Sequence, residues 1–120
     1  MNVATADRDG VRVVTLDNPP INAISFAYSA ALLATLEAAE ADAAVHAIVL
    51  TGANGLFSGG ADINDFTTEP SAGTKTIRDV IAAVEKSAKT YVAALEKTVL
   101  GGAAELALAC DYREIGRAHV

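Results

Sequence analysis

Tryptophan is absent from this 120-residue sequence, cysteine and methionine occur once each, and three Phe and three Tyr supply all the aromatic mass. The lone cysteine, Cys110, excludes a disulfide framework and a cysteine-based metal site, and it fits a reducing cytosol. No charge-free apolar run reaches the roughly 18 residues of a membrane span, and the stretch from Met1 to Asp9 is too polar for a signal peptide. A cytoplasmic protein that works away from the membrane is therefore expected. Cations are scarce: 9 Lys and Arg face 15 Asp and Glu, for a formal charge of −6. That balance, with a pI near 4.7, argues against nucleic acid as a partner, since phosphate binding needs clustered Lys and Arg.

Alanine is what the chain has in quantity, 26 residues within a hydrophobic fraction of 52%. A mean hydropathy of +0.31 excludes a disordered tail. Alanine brings little area to bury, however, so the core of this one small domain, or piece of a larger one, is expected to be thin.

Val11 to Leu16 is a β-branched run closed by Pro19-Pro20, which predicts a strand. Ser25 is a candidate N-cap for a helix over Phe26–Ala41, with Leu32, Leu33 and Leu36 at helical spacing. Ala47 to Thr51 is almost wholly apolar, as a strand buried on both faces would be. A loop from Gly52 to Gly60 follows, then a second helix over Thr74–Lys89 with Ile77, Val80, Ile81 and Val84 on one face. Tyr91–Leu95 reads as a strand, Ala103–Ala109 as a helix opened by Gly101-Gly102, and Tyr112 as a further strand start. Strands and helices that alternate in this way predict an α/β protein with a largely parallel sheet.

Two glycine turns carry the chemistry. The first, Leu56 to Ile63, either merely turns the chain or brings backbone N–H groups close to a ligand. It is not a phosphate loop, because Ala61 and Asp62 stand where Lys and Ser/Thr are required. The second, Leu100 to Glu105, enters a helix, where the first N–H groups lack intrahelical partners and lie at the positive end of the dipole. Glu105 there either compensates that dipole or sets a carboxylate beside an oxyanion donor. One donor from each turn could converge on a carbonyl oxygen and stabilise an enolate. A serine hydrolase built from Ser58, His46 and Asp62 is not supported, because no G-x-S-x-G elbow surrounds Ser58. His46 reads as a surface residue ahead of a strand, and Cys110 as a small buried hydrophobe.

At these motifs the chain resembles the enoyl-CoA hydratase/isomerase (crotonase) superfamily over essentially Val11 to Arg113. The resemblance rests on Asn18-Pro-Pro-Ile-Asn-Ala-Ile24, on Phe57-Ser-Gly-Gly-Ala-Asp-Ile63, and on Gly101-Gly-Ala-Ala-Glu-Leu-Ala-Leu-Ala-Cys-Asp111. The first motif is similar to the hydratase/isomerase part of multifunctional fatty-acid β-oxidation proteins, in which a 3-hydroxyacyl-CoA dehydrogenase region follows. The resemblance implies a spiral of ββα units, here the N-terminal part only, in a parent that forms trimers or trimer pairs or is one multifunctional chain. It implies an acyl-CoA thioester as substrate, its oxygen held by the amides of Ala61 and Gly102, with Glu105 handling water or the substrate proton. Asn22, Ala23 and Ile24 and the Gly59-Gly60 backbone match places that contact the CoA moiety, with Asp62 and Ile63 in the same motif. Asp62 is expected to fix the loop. No metal or cofactor is implied in this chain; NAD would enter only with a dehydrogenase region in the parent.

The sequence departs from the family pattern in three places. A second catalytic glutamate is expected about twenty residues beyond Glu105 in the family pattern, whereas the sequence ends at Val120. Thr90 and Lys97 stand where the family commonly has Pro and Gly, and a turn that needs positive φ would be strained by a lysine. Finally, Ile115-Gly-Arg-Ala-His-Val120 reads back as ATC GGA AGA GCA CAC GTC, which resembles a sequencing adapter. Residues 1–114 are thus expected to be the N-terminal part of a crotonase-like domain that continues in the natural protein, and residues 115–120 a read-through tail. His119 receives no role. The competing expectation for the chain as it stands is an inert truncated fragment that does not fold stably alone.

Overall fold

The computed structural model describes residues 2–67 and 69–116. It contains β1 (Asn2–Arg8), β2 (Val11–Asp17), α1 (Phe26–Ala41), β3 (Ala47–Gly52), a 3₁₀ turn (Ile63–Thr67), α2 (Ile77–Lys86), β4 (Thr90–Leu95), α3 (Gly102–Ala109) and β5 (Tyr112–Ile115). The strands form one sheet in the order β1-β2-β3-β4-β5. β1 and β2 are an antiparallel hairpin, and every later pairing is parallel. Each parallel step moves the same way across the sheet, so crossovers of one hand put all the helices on one face. Accordingly α1 packs on α2 and α2 on α3.

Register explains the core. Val14, Leu50 and Ala93 sit side by side across three strands, with Ile48 and Tyr91 paired one row below. All five are buried under the helices together with Leu16. From α1 the core receives Tyr28, Leu32, Leu33, Leu36 and Ala39, from α2 Val80 and Val84, and from α3 Ala103, Leu106 and Ala107. The Tyr28 hydroxyl donates to the Asn2 carbonyl and accepts from the Asp17 amide, which fastens α1 to both strands of the hairpin.

α1 occupies the predicted range, and Ser25 Oγ accepts from the Tyr28 amide at 3.0 Å. α2 is shorter than the predicted Thr74–Lys89. Thr76 and Asp79 form a reciprocal capping box that fixes its start, and Ser87 leaves the helix at φ −62°, ψ 140°. β1 is an addition to the elements expected from the sequence: seven largely exposed residues pair with β2 through a turn at Asp9 (φ 50°) and Gly10 (φ 82°). Two positive φ values in a two-residue loop match the right-handed twist of the hairpin.

Short parallel bridges, Ile24 with Ala61 and Ser58 with Val99, lie between the main strands and the helices that follow. The chain therefore repeats strand, bridge segment and helix three times: β2, Ile24, α1; β3, Ser58–Ala61, α2; β4, Val99, α3. This is the expected spiral of ββα units. β5 pairs with β4 as far as Leu95 opposite Ile115, and the Gly116 amide donates to the Leu95 carbonyl at 2.6 Å. Of the tail expected at 115–120, residues 117–120 lie outside the described residues. No described helix is long and apolar enough to cross a membrane.

Candidate active site

The loops that leave the carboxyl ends of β2, β3 and β4 meet. Asn22, wholly buried at φ 52°, ties the first to the second. Its Nδ2 reaches the carbonyls of Ala53, Leu56 and Phe57, each at 3.2 Å, while its Oδ1 accepts from the Asn18 amide at 2.9 Å. Buried Ser58 adds a second tie, donating from Oγ to the Asn22 carbonyl at 2.7 Å and accepting from the Gly60 amide at 3.0 Å. Main-chain bonds complete the seam, from Gly59 to Ile21 and from Ile24 to Gly60, both 2.8 Å.

On its other side the same loop joins the turn after β4. The Phe57 amide donates to Glu96, Ser58 to Thr98 (both 3.0 Å), and Leu100 donates back to Ser58 at 3.3 Å. Gly60, at φ 95°, lies directly against this turn. A β-carbon there would stand 2.7 Å from the Leu100 carbonyl oxygen and 3.6 Å from the Gly102 amide nitrogen. The Gly60-Ala61 and Gly101-Gly102 peptides are thus neighbours. Among the described residues, neither the Ala61 nor the Gly102 amide donates a hydrogen bond to a protein acceptor. Two free N–H groups on adjacent loops, one of them the first residue of α3, suit a ligand oxygen that carries negative charge.

Glu105 follows in the first turn of α3 and is exposed. It lines an open groove between α2 and α3 with Ile81, Glu85, Leu108 and Ala109. Gly102 lies under the first residue of α2, where a β-carbon would come within 2.8 Å of Ile77 Cδ1.

The residues expected to face CoA are placed unevenly. Asn22 and Ile24 are 0% and 2% exposed, so their side chains point into the protein, and the Ala23 carbonyl accepts from Asn18 Nδ2 at 2.8 Å. Ile63, by contrast, is 73% exposed. Asp62 accepts from the Asn64 amide through Oδ1 at 2.9 Å and from the Asp65 amide through its carbonyl at 3.0 Å, so it organises the 3₁₀ turn. Asp65, which the sequence did not single out, accepts from the Phe26 amide at 2.8 Å and binds that turn to the start of α1. The structural work of Asn22 and Ser58 was also missed; a polar residue inside a glycine-rich seam was the signal available. Lys97, in the turn after β4, adopts φ 50°, so this turn does require the left-handed conformation.

Ser58, His46 and Asp62 do not assemble. Both Ser58 contacts are to main chain, whereas His46 is exposed at the opposite end of β3, its amide bonded to the Gly10 carbonyl at 2.7 Å. Cys110 is 4% exposed, and burial, with Asp111 second, pushes its thiol up to about 11. Among the described residues no group of three His, Cys, Asp or Glu is placed to hold a metal ion.

Comparison with known proteins places the chain in a family. The family model described as enoyl-CoA hydratase/isomerase matches residues 6–119. The peroxisomal bifunctional enzyme of Danio rerio is 46% identical over 103 residues, covering 86% of this chain and 14% of that protein. The peroxisomal fatty acid beta-oxidation multifunctional protein MFP2 of Arabidopsis thaliana is 44% identical over 112 residues, covering 88% of this chain and 15% of that protein. The chain therefore spans about one seventh of the length of these relatives. Among solved structures, an enoyl-CoA hydratase/isomerase from Xanthobacter autotrophicus Py2 superposes with a TM-score of 0.81 at 32% identity, over 94% of this chain and 45% of that one.

Proposed function

The chain belongs to the enoyl-CoA hydratase/isomerase family, and from that premise we propose that it is the acyl-CoA-binding part of an enoyl-CoA hydratase or Δ3,Δ2-enoyl-CoA isomerase of fatty-acid β-oxidation. The thioester oxygen accepts from the Ala61 and Gly102 amides. Charge that develops on this oxygen as an enolate forms meets donors already in place, and each such donor is worth roughly 10²–10³ in rate. Glu105, one helical turn beyond Gly102, takes up or delivers the proton at carbon or orients the water, a contribution of roughly 10²–10⁴. The observation that supports this reading is the contact of Gly60 with the Leu100–Gly102 turn, which makes the two amides neighbours.

The test is infrared difference spectroscopy of carbonyl-labelled octanoyl-CoA with the 120-residue chain. Two hydrogen bonds to the thioester oxygen lower its C=O stretch, and Glu105→Gln, which leaves both amides in place, retains the shift. A carbonyl band unmoved at saturation sinks the two-amide site.

A second reading, an inert fragment without a stable fold, is favoured by Leu100, Leu108, Tyr112 and Ile115, which are 59–81% exposed around α3 and β5. A single cooperative melt at low concentration overturns it.

A further inference from the structure

The groove between α2 and α3 is lined by Glu85, a carboxylate that the proposed chemistry does not use. From this we infer that Glu85 selects the acyl group by its far end, favouring chains with an uncharged terminus over ω-carboxylated ones. The inference rests on the acyl-CoA reading above.

α2 and α3 both begin at the proposed thioester site, since Ile77, the first residue of α2, packs on Gly102, the first of α3. Beyond this contact an open groove lies between Ile81 and Glu85 of α2 and Glu105, Leu108 and Ala109 of α3. It is a groove of about 450 Å³ that is open to solvent. Ile81, Leu108 and Ala109 offer apolar contact, and Leu108 is 69% exposed with no other described function. An acyl chain whose carbonyl carbon sits beside Gly102 can continue along this apolar strip.

Glu85 lies eight residues beyond Ile77, roughly 12 Å along the helix at about 1.5 Å per residue. An extended chain advances about 1.2 Å per bond, by analogy with the span of an extended peptide. About ten bonds, a chain of ten to eleven carbons counted from the carbonyl, therefore bring the ω end to Glu85. A methyl terminus is indifferent to that carboxylate, whereas an ω-carboxylate meets a like charge, with Glu105 further back along the same groove. At the edge of solvent the repulsion corresponds to about five- to tenfold in affinity.

The experiment compares dissociation constants of decanoyl-CoA and sebacyl-CoA for the chain and for its Glu85→Gln and Glu85→Lys variants. Both ligands have ten carbons and the same CoA moiety, so only the terminus differs. The chain is expected to prefer decanoyl-CoA about five- to tenfold at low ionic strength, and less so in high salt. Glu85→Gln shrinks the ratio, and Glu85→Lys reverses it. A ratio that stays the same in Glu85→Lys overturns the role of Glu85 while leaving the thioester site intact. Failure of the unaltered chain to bind decanoyl-CoA at all overturns the acyl-CoA reading itself.

Discussion

The two ends of the parallel strands are built on opposite plans. At the amino ends, polar side chains satisfy one another and the main chain. Arg12 grips Asp7 through two bonds of 2.7 and 2.8 Å and reaches Asp42 at 2.9 Å. Lys89 Nζ donates to the Ala39 and Asp42 carbonyls at the end of α1, and Glu40 accepts from Ser87 and Ala88 in return. At the carboxyl ends, Asn22 and Ser58 hold the loops together, and main-chain groups remain on offer, as the Ala61 and Gly102 amides are. The lesson concerns where a function can sit. A closed ion-pair network stabilises but presents nothing new, whereas loops pinned from within can leave donors free without collapsing onto them.

Matched glycines give the sharpest way to break this contrast. Gly60 and Gly10 both have positive φ, and at each a β-carbon would come within 2.7 Å of another group. At Gly60 that group is the Leu100 carbonyl, fixed main chain; at Gly10 it is the exposed His46 ring, which can swing away. Gly60→Ala is therefore expected to cost more than about 3 kcal/mol and to abolish octanoyl-CoA binding. Gly10→Ala should cost only the backbone strain, about 1–2 kcal/mol, with binding intact. Urea unfolding and titration calorimetry on the pair decide it; equal costs, or binding retained in Gly60→Ala, would break the distinction.

Asn22→Ala comes next. It leaves the half-buried carbonyls of Ala53 and Leu56 and the buried one of Phe57 without their shared donor, a loss of about 3 kcal/mol. Faster hydrogen exchange at the Ile24 and Gly59 amides, with the β1–β2 amides unchanged, would localise the damage to the seam. Uniform protection would contradict it.

These substitutions also mark how far the sequence could be read. α1 was legible from end to end because its cap and its composition agree with its burial. β1 was not, since its exposed edge position leaves no clean alternation, and only the Asp9-Gly10 pair announced the hairpin. The ends of α2 differ from the expected Thr74–Lys89 because the Thr76–Asp79 capping box and Ser87 bound the helix inside that range. At the site, the glycine turns were legible because backbone geometry demands glycine there. The inward side chain of Asn22 was not, because its partners are carbonyls 31 to 35 residues away, and no local pattern encodes them.

Lys97 shows that not everything at the carboxyl ends is optimised. It holds φ 50° with a full side chain in the turn that leads from β4 towards Gly101. Lys97→Gly is expected to raise stability by about 1 kcal/mol, because relief of strain outweighs the added freedom of the unfolded chain. Octanoyl-CoA affinity should stay the same or rise. A destabilised variant would mean that the lysine stem contributes packing that exceeds the strain it imposes.

The smallest effect expected is at the amino ends, and it depends on pH. A hydrogen bond from Arg12 holds the Asp7 carboxyl below the usual carboxylate range, while the Ala44 amide first and Arg12 second do the same for Asp42. A carboxylate with a depressed folded-state pKa stabilises the fold above its unfolded value, near about 3.9, and that contribution disappears as pH falls through the folded value. Arg12→Met removes the partner of both, so at pH 7 it should lower Tm by a few degrees. As pH falls through the lowered folded-state values of Asp7 and Asp42, the carboxylates become protonated in either state and the two melting curves should converge. High salt should narrow the gap at pH 7 in the same way, because the pairs are open to solvent. The octanoyl-CoA constant should not move, since no Arg12 contact reaches the seam of Asn22 and Ser58. A binding constant that follows Tm would show that the two ends of the sheet are coupled, and the free amides would then depend on the ion pairs as much as on the loops that carry them.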